Sequence, residues 1–202
     1  MDDNRWWPLA QMKQVVFGRW TLEANPDATR VAYGAVAHGA PELCDCPACR
    51  NFAANRTTAY PGEFFQLLDN LGVRFDCEAE IYHYNLGNGV HSYGGCFHFV
   101  GLIAAGSDAR VPVASNTTFD MRFPTSDQQI VLASETIEVP PTKIGSGALN
   151  LWTFDLHSIT EQFAAGVTCR TALVNEAFGS QSVLQLEFTA EIPWTLDSPP
   201  MP

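Results

Sequence analysis

The chain has 202 residues, 46% of them hydrophobic and 16% charged, a length and balance that fit one well-packed domain and exclude a disordered chain. Its 22 acidic and 11 basic residues give a net charge of -11, and there is no basic run, which excludes the footprint of a nucleic-acid binder and any pull toward anionic membranes. No stretch approaches the roughly 18 to 20 consecutive apolar residues of a membrane span, and the opening Met1-Asp2-Asp3-Asn4-Arg5-Trp6-Trp7-Pro8 lacks the apolar centre of a secretory signal, so a soluble cytoplasmic protein with reduced cysteines is expected.

Residues 15–23 are apolar and β-branched and read as a strand with Gly18 as a bulge. Asn25-Pro26-Asp27 follows as a turn, and residues 31–37 read as a second strand that His38-Gly39-Ala40-Pro41 breaks. After a run of cysteines, Arg50-Asn51-Phe52-Ala53-Ala54-Asn55 permits a helix with Pro47 in its first turn. Pro61-Gly62-Glu63 starts a clearer helix through Phe64, Phe65, Leu67, Leu68 and Leu71, apolar at spacings of three and four, with Gly72 as its stop. Residues 77–85 and 90–105 then flank Leu86-Gly87-Asn88-Gly89, and the Asn-Gly pair signals a hairpin.

Further strands are expected over residues 118–123, 129–134, 149–158 and 183–192, the last with Leu184, Leu186, Phe188 and Ala190 alternating with polar residues. Pro140-Pro141 and Gly145-Ser146-Gly147 mark an exposed loop. The expectation is a single α+β domain over residues 1–197, with a flexible tail at 198–202. Its sheet is largely antiparallel, curled or sandwich-like, and two short helices sit near the cysteines.

Cys44-Asp45-Cys46-Pro47-Ala48-Cys49 holds half of the six cysteines in six residues. Thiolates at C-x-C-x2-C spacing converge on one soft metal ion when a tight turn gathers them, and zinc is the expected ion. A fourth ligand is needed, and His38, Cys77, His83, His91, Cys96 and His98 are the candidates. A two-residue turn at Asn88-Gly89 sets Cys96 opposite Ile81 and His98 opposite Ala79, with both on one strand face and His91 on the other. A bulge at Gly94-Gly95 would instead bring His91 to the His98 face, and the spacing leaves both open.

Two other readings compete at the cluster. Cys46-Pro47-Ala48-Cys49 follows a strand and precedes a helix, as in a redox C-x-x-C whose helix start activates the first thiol. The blander reading packs the cysteines as small hydrophobes. Cys77 and Cys169 read as buried core thiols, and His83 and His157 as strand or core histidines. Tyr82, Tyr84, Tyr93, Phe97 and Phe99 read as one aromatic hairpin face, usually core packing. Asp120, Asp127, Glu135, Glu138 and Glu161 form no pair with the spacing of an acid–base dyad.

The run from Cys44 through Arg50-Asn51-Phe52, the helix at residues 61–72, the strand His91-Ser92-Tyr93-Gly94-Gly95-Cys96-Phe97-His98-Phe99-Val100-Gly101 and the closing Leu186-Glu187-Phe188-Thr189-Ala190-Glu191-Ile192-Pro193-Trp194 together resemble a family of uncharacterised bacterial proteins. Its members carry a C-x-C-x2-C-x-N-F segment and a Tyr-Gly-Gly-x-aromatic-His-Phe-Val-Gly strand. The resemblance implies one intact domain, couples the cysteine run with His98, and brings no activity or ligand. Relatives hold an aromatic residue where this chain has Cys96, which favours His91 or His98 as the fourth ligand.

The resulting expectation is a structural zinc site of Cys44, Cys46 and Cys49, completed by His98 or His91, that pins the first helix to the hairpin. The domain would then bind a protein or small-molecule partner through another surface. The alternative is a thiol-dependent redox enzyme or a zinc-dependent enzyme using Cys46 and Cys49. A third reading is a homo-oligomer assembled through the aromatic hairpin.

Overall fold

The computed structural model describes residues 12–85, 90–112 and 152–198. Among these, three α-helices and nine strands form one α+β domain built on a seven-stranded antiparallel sheet, which is the expected fold class. The expected strands at 118–123 and 129–134, the hairpin turn at 86–89, the loop around 140–147, and residues 199–202 of the tail lie outside the described residues.

The first segment differs from expectation. Residues 15–23 are not one strand but a hairpin, β1 (Lys13–Phe17) and β2 (Trp20–Ala24), because Gly18 takes φ +51° and reverses the chain in two residues. A glycine with positive φ at the first position of a two-residue loop matches the right-handed twist of the strands, so Gly18 makes a turn rather than a bulge. The expected second strand is also absent. Its residues 31–34 belong to α1 (Pro26–Gly34) and 35–37 follow as a turn and loop; in this helix Asn25 caps Ala28 N, Pro26 takes the first helical position and Asp27 sits in the positive first turn.

Pro47 opens α2 (Pro47–Ala59) and Gly72 at φ +77° ends α3 (Gly62–Leu71), as the sequence implies. Strand β3 (Glu80–Asn85) pairs with the 16-residue β4 (Val90–Ala105), which pairs along its other edge with β9 (Val183–Pro193). Strands β8 (Phe163–Thr168) and β7 (His157–Thr160) complete the sheet, in the order β1-β2-β4-β9-β8-β7. The short ribbon of β5 (Arg110–Pro112) and β6 (Trp152–Phe154) stands apart. Sequence reasoning passed over β5 and β8, and its strand at 149–158 divides into β6 and β7.

The sheet is curled. The Phe17 ring meets the His157 ring edge-on at 5.4 Å, and Arg19 pairs with Asp155 at 2.9 Å, so the β1–β2 turn touches the far edge strand.

One sheet face carries Tyr93, Phe97, Phe99, Phe163, Leu184, Leu186 and Phe188, all buried. Against it α2 and α3 set Phe52, Tyr60 and Phe64, with Phe64 4.6 Å from Phe163 and Phe188 stacked on Phe163 at 5.8 Å. Each such ring stabilises the fold by about 1.5–3 kcal/mol through removal from water, and favourable ring geometry adds about 1 kcal/mol. Tyr82 and Tyr84 pair with Gly94 and Ser92 and so lie on the opposite face, with Tyr84 exposed. The expected single aromatic face is therefore split between two.

Candidate metal centre

The chain leaves α1 through a loop into a 3-10 turn (Ala40–Leu43) and reaches Cys44 extended. Pro41 precedes the cysteines and Pro47 sits between Cys46 and Cys49, and each ring fixes φ at its own position. Cys46 is the N-cap of α2, where its Sγ accepts the Cys49 N–H at 3.4 Å. That reversal gathers Cys44, Cys46 and Cys49, and their three sulfurs lie within 4.8 Å of one another. Around a tetrahedral zinc with Zn–S of about 2.3 Å, sulfurs stand about 3.8 Å apart, so a modest inward shift brings all three to coordination distance.

The site is graded from solvent to core. Cys44 and Cys46 are half-buried and Cys49 is buried. The Cys46 backbone N–H, aided by hydrogen bonds from the Cys46 and Cys49 side chains, holds the Cys44 thiol below its usual range. Burial, and then the neighbouring sulfurs, push the Cys49 thiol up. Backbone amides aimed at sulfur are the environment that stabilises bound thiolates.

The floor of the site is polar and fully engaged. Tyr93 Oη donates to Ala48 O at 3.2 Å and accepts from Asn51 Nδ2 at 3.1 Å, so the first turn of α2 is bolted to β4. Asn51 also donates to Pro193 O and accepts from Thr195 N, which ties α2 to the end of β9. Farther along α2, Arg56 reaches Glu42 at 2.7 Å and Glu78 at 2.9 Å, while Tyr60 donates to Glu78 at 2.7 Å. This buried network holds the 3-10 turn before Cys44 against the start of β3. Sequence reasoning missed these supports, whose only signal was a polar Asn51 and Arg56 spaced among the apolar residues of an amphipathic helix.

The expected histidine ligands are not brought to the sulfurs. Pairing of β3 with β4 runs from Glu80↔Cys96 to Asn85↔His91 without a break, one residue away from the expected register. With no bulge at Gly94-Gly95, alternation along β4 keeps Cys96 and His98 on one face and His91 on the other, as the unbulged reading expects, and His98 stands opposite Gln185 on the face away from Tyr93, with its Nε2 3.1 Å from Gln185 Oε1. That oxygen also accepts the Ala172 N–H, and Gln185 Nε2 donates to Glu187 Oε1. His91 shares the Tyr93 face, but its Nδ1 lies 2.6 Å from His83 Nε2, with the rings stacked at 4.9 Å beside Trp194. Burial lowers the pKa of both rings, with His83 taken down to about 4.

Cys96 is buried opposite Glu187, away from the cluster. Cys77 is a buried thiol as expected, whereas Cys169 is exposed and its Sγ donates to Asp108 at 2.9 Å.

Comparison with protein-family models, with curated proteins and with solved structures returned no match. Among the described residues, the three cysteines form the group of ligand atoms able to hold a metal ion, and the described helices include none long and apolar enough to cross a membrane.

Proposed function

We propose that this protein is a zinc-binding domain in which Cys44, Cys46 and Cys49 hold one structural ion. The supporting observation is the convergence of three sulfurs within 4.8 Å at the start of α2. The ion would clamp the 3-10 turn at Ala40–Leu43 to α2, which carries the Phe52 ring of the core at its middle and the Tyr60 ring at its C-cap. Thiolates donate charge to zinc and make it a weak Lewis acid, which favours a structural over a hydrolytic role. The domain would act as a binding module in a bacterial cytoplasm, in line with the resemblance to the uncharacterised bacterial family, and its net charge of -11 argues against nucleic-acid and membrane partners.

The test is metal content per chain, by inductively coupled plasma mass spectrometry, on untagged protein purified without chelator. About one zinc per chain in the parent, and none in Cys46→Ser, supports the reading. A metal-free chain that forms a Cys46–Cys49 disulfide on air oxidation would replace it with a thiol redox function, which the helix-capping position of Cys46 favours as the second reading.

A further inference from the structure

We propose that the fourth coordination position of this metal centre is open and takes a small thiol from solution. The inference rests on the zinc-site reading above and goes beyond it by assigning a ligand class.

All six cysteines and five histidines of these 202 residues fall among the described residues, so the supply of sulfur and imidazole within the sequence can be accounted for residue by residue. Cys96 and His98 lie on the opposite sheet face, against Glu187 and Gln185. His83 and His91 are paired with each other, and His157 packs on Phe17. Cys169 is bonded to Asp108. Cys77 and His38 line a small cavity of about 140 Å³ that also contains His98. Among the described residues, none of these joins the three clustered sulfurs. The donor set is three thiolates, one short of the four that zinc takes.

Access and charge select what fills the gap. Cys44 and Cys46 are half-buried and Asp45 between them is exposed, so the trio opens to solvent on the side away from Cys49. Three thiolates on a divalent ion leave one net negative charge and little acidity to hold or ionise a water, whereas sulfur matches the softness of the set. A fourth anionic sulfur would be repelled by bare thiolates. Here the Cys49 N–H onto Cys46 withdraws part of that charge, at the positive end of α2.

On binding, the incoming S–H would give its proton to solvent, and its sulfur would take the open position on the metal and displace any water resting there. No oxidation state changes.

The test replaces zinc with cobalt(II) in protein kept reduced by a phosphine, so that no added thiol is present, and follows the sulfur-to-cobalt charge-transfer and d–d absorption. The chain carries Cys169→Ser to remove the exposed thiol of a second copy as a source of the fourth sulfur. One cobalt per chain with a three-sulfur spectrum, converted to a four-sulfur spectrum by 2-mercaptoethanol while the metal stays with the protein on gel filtration, is the expected result. Cobalt bound with a spectrum that the thiol leaves unchanged overturns the open position and leaves the metal site standing. Cobalt stripped from the protein by the thiol does the same. A chain that binds no cobalt overturns both.

Discussion

The Tyr33 hydroxyl serves both backbone groups of His98, donating to the carbonyl at 3.0 Å and accepting the amide at 3.2 Å. The contact closes a gap in the sheet. Pairing of β3 ends at Cys96 and pairing of β2 begins at Gly101, so the edge of β4 between them has no strand partner. Helix α1 supplies the missing partners. Thr29 Oγ1 accepts the Val100 N–H at 3.0 Å, and the Asn25 N–H reaches Val100 O at 2.8 Å. Tyr33→Phe leaves two buried backbone groups unmet at about 1–3 kcal/mol each, so a loss of roughly 2–6 kcal/mol is expected. Urea unfolding checks this, with a lower midpoint at unchanged slope. A loss below about 0.5 kcal/mol would mean that water or a shifted strand replaces the hydroxyl.

Cys46 has two separable duties, capping α2 and contributing a sulfur to the cluster. Serine is among the best N-cap residues, so Cys46→Ser keeps the hydrogen bond to the Cys49 amide and removes only the soft ligand. Without metal, the variant and the parent should melt within about 0.5 kcal/mol of each other, the range of changes that disturb no special feature. With zinc at about one hundred times its dissociation constant, the parent alone should gain about 2.7 kcal/mol. Differential scanning calorimetry with and without chelator tells the two apart. Equal gains in both proteins would show that the ion binds somewhere else.

What could be read from the sequence was what local punctuation decides. Pro47 and Gly72 bound their helices because a ring-locked φ and a left-handed cap act within a few residues. The alternation of Leu184, Leu186, Phe188 and Ala190 marked the apolar face of β9 for the same reason, although Gln185 and Glu187 on the other face are buried as well. Helix α1 was misread because Val31, Ala35 and Val36 suit a strand, while the decisive Asn25-Pro26-Asp27 serves equally as a turn or a helix start. The cysteine cluster was legible because its ligands are adjacent in the chain. The fourth-ligand question was not: alternation along β4 gives the faces of His91 and His98, but the β3–β4 register that sets His83 against His91 is decided by tertiary pairing.

Glu187 has a distinct pH signature. Burial, opposed by the Gln185 hydrogen bond and reinforced by Glu80, pushes its carboxyl from 4.5 up to about 7. A carboxyl raised in the folded state binds a proton that the unfolded chain has released, so its contribution is full below pH 4.5 and is lost as pH rises through about 7. The size is about 3 kcal/mol, from the shift at about 1.4 kcal/mol per unit. His83, His91 and His98 run the other way, because burial lowers them and their contribution is lost as pH falls below 6.5. The parent curve mixes both signs. The difference between the parent and Glu187→Gln isolates the carboxyl, and urea titrations across pH 4.5 to 7 should show the parent losing its advantage as pH rises. A constant difference would place an ionised Glu187 in the folded protein.

Gly72 ends α3 at φ +77°, and a Cβ there would stand 2.2 Å from the carbonyl oxygen of Pro26, at the first turn of α1. The atom in the way is backbone, so it cannot swing aside as a side-chain tip would. Gly72→Ala combines a left-handed penalty of about 1–2 kcal/mol with displacement of the α1 start, and roughly 3 kcal/mol or more is expected in total. Gly34, at the exposed end of α1, meets nothing within 4 Å and has no positive φ, so Gly34→Ala should be neutral or stabilising by up to about 1 kcal/mol. The pair separates steric conflict from chain entropy, since both substitutions stiffen the unfolded chain equally. Because the start of α1 also supplies Asn25 and Thr29 to the edge of β4, Gly72→Ala should weaken amide-exchange protection at Val100 as well as at α3. Protection lost only within α3 would show that the α1–α3 contact yields without moving the plug in the sheet.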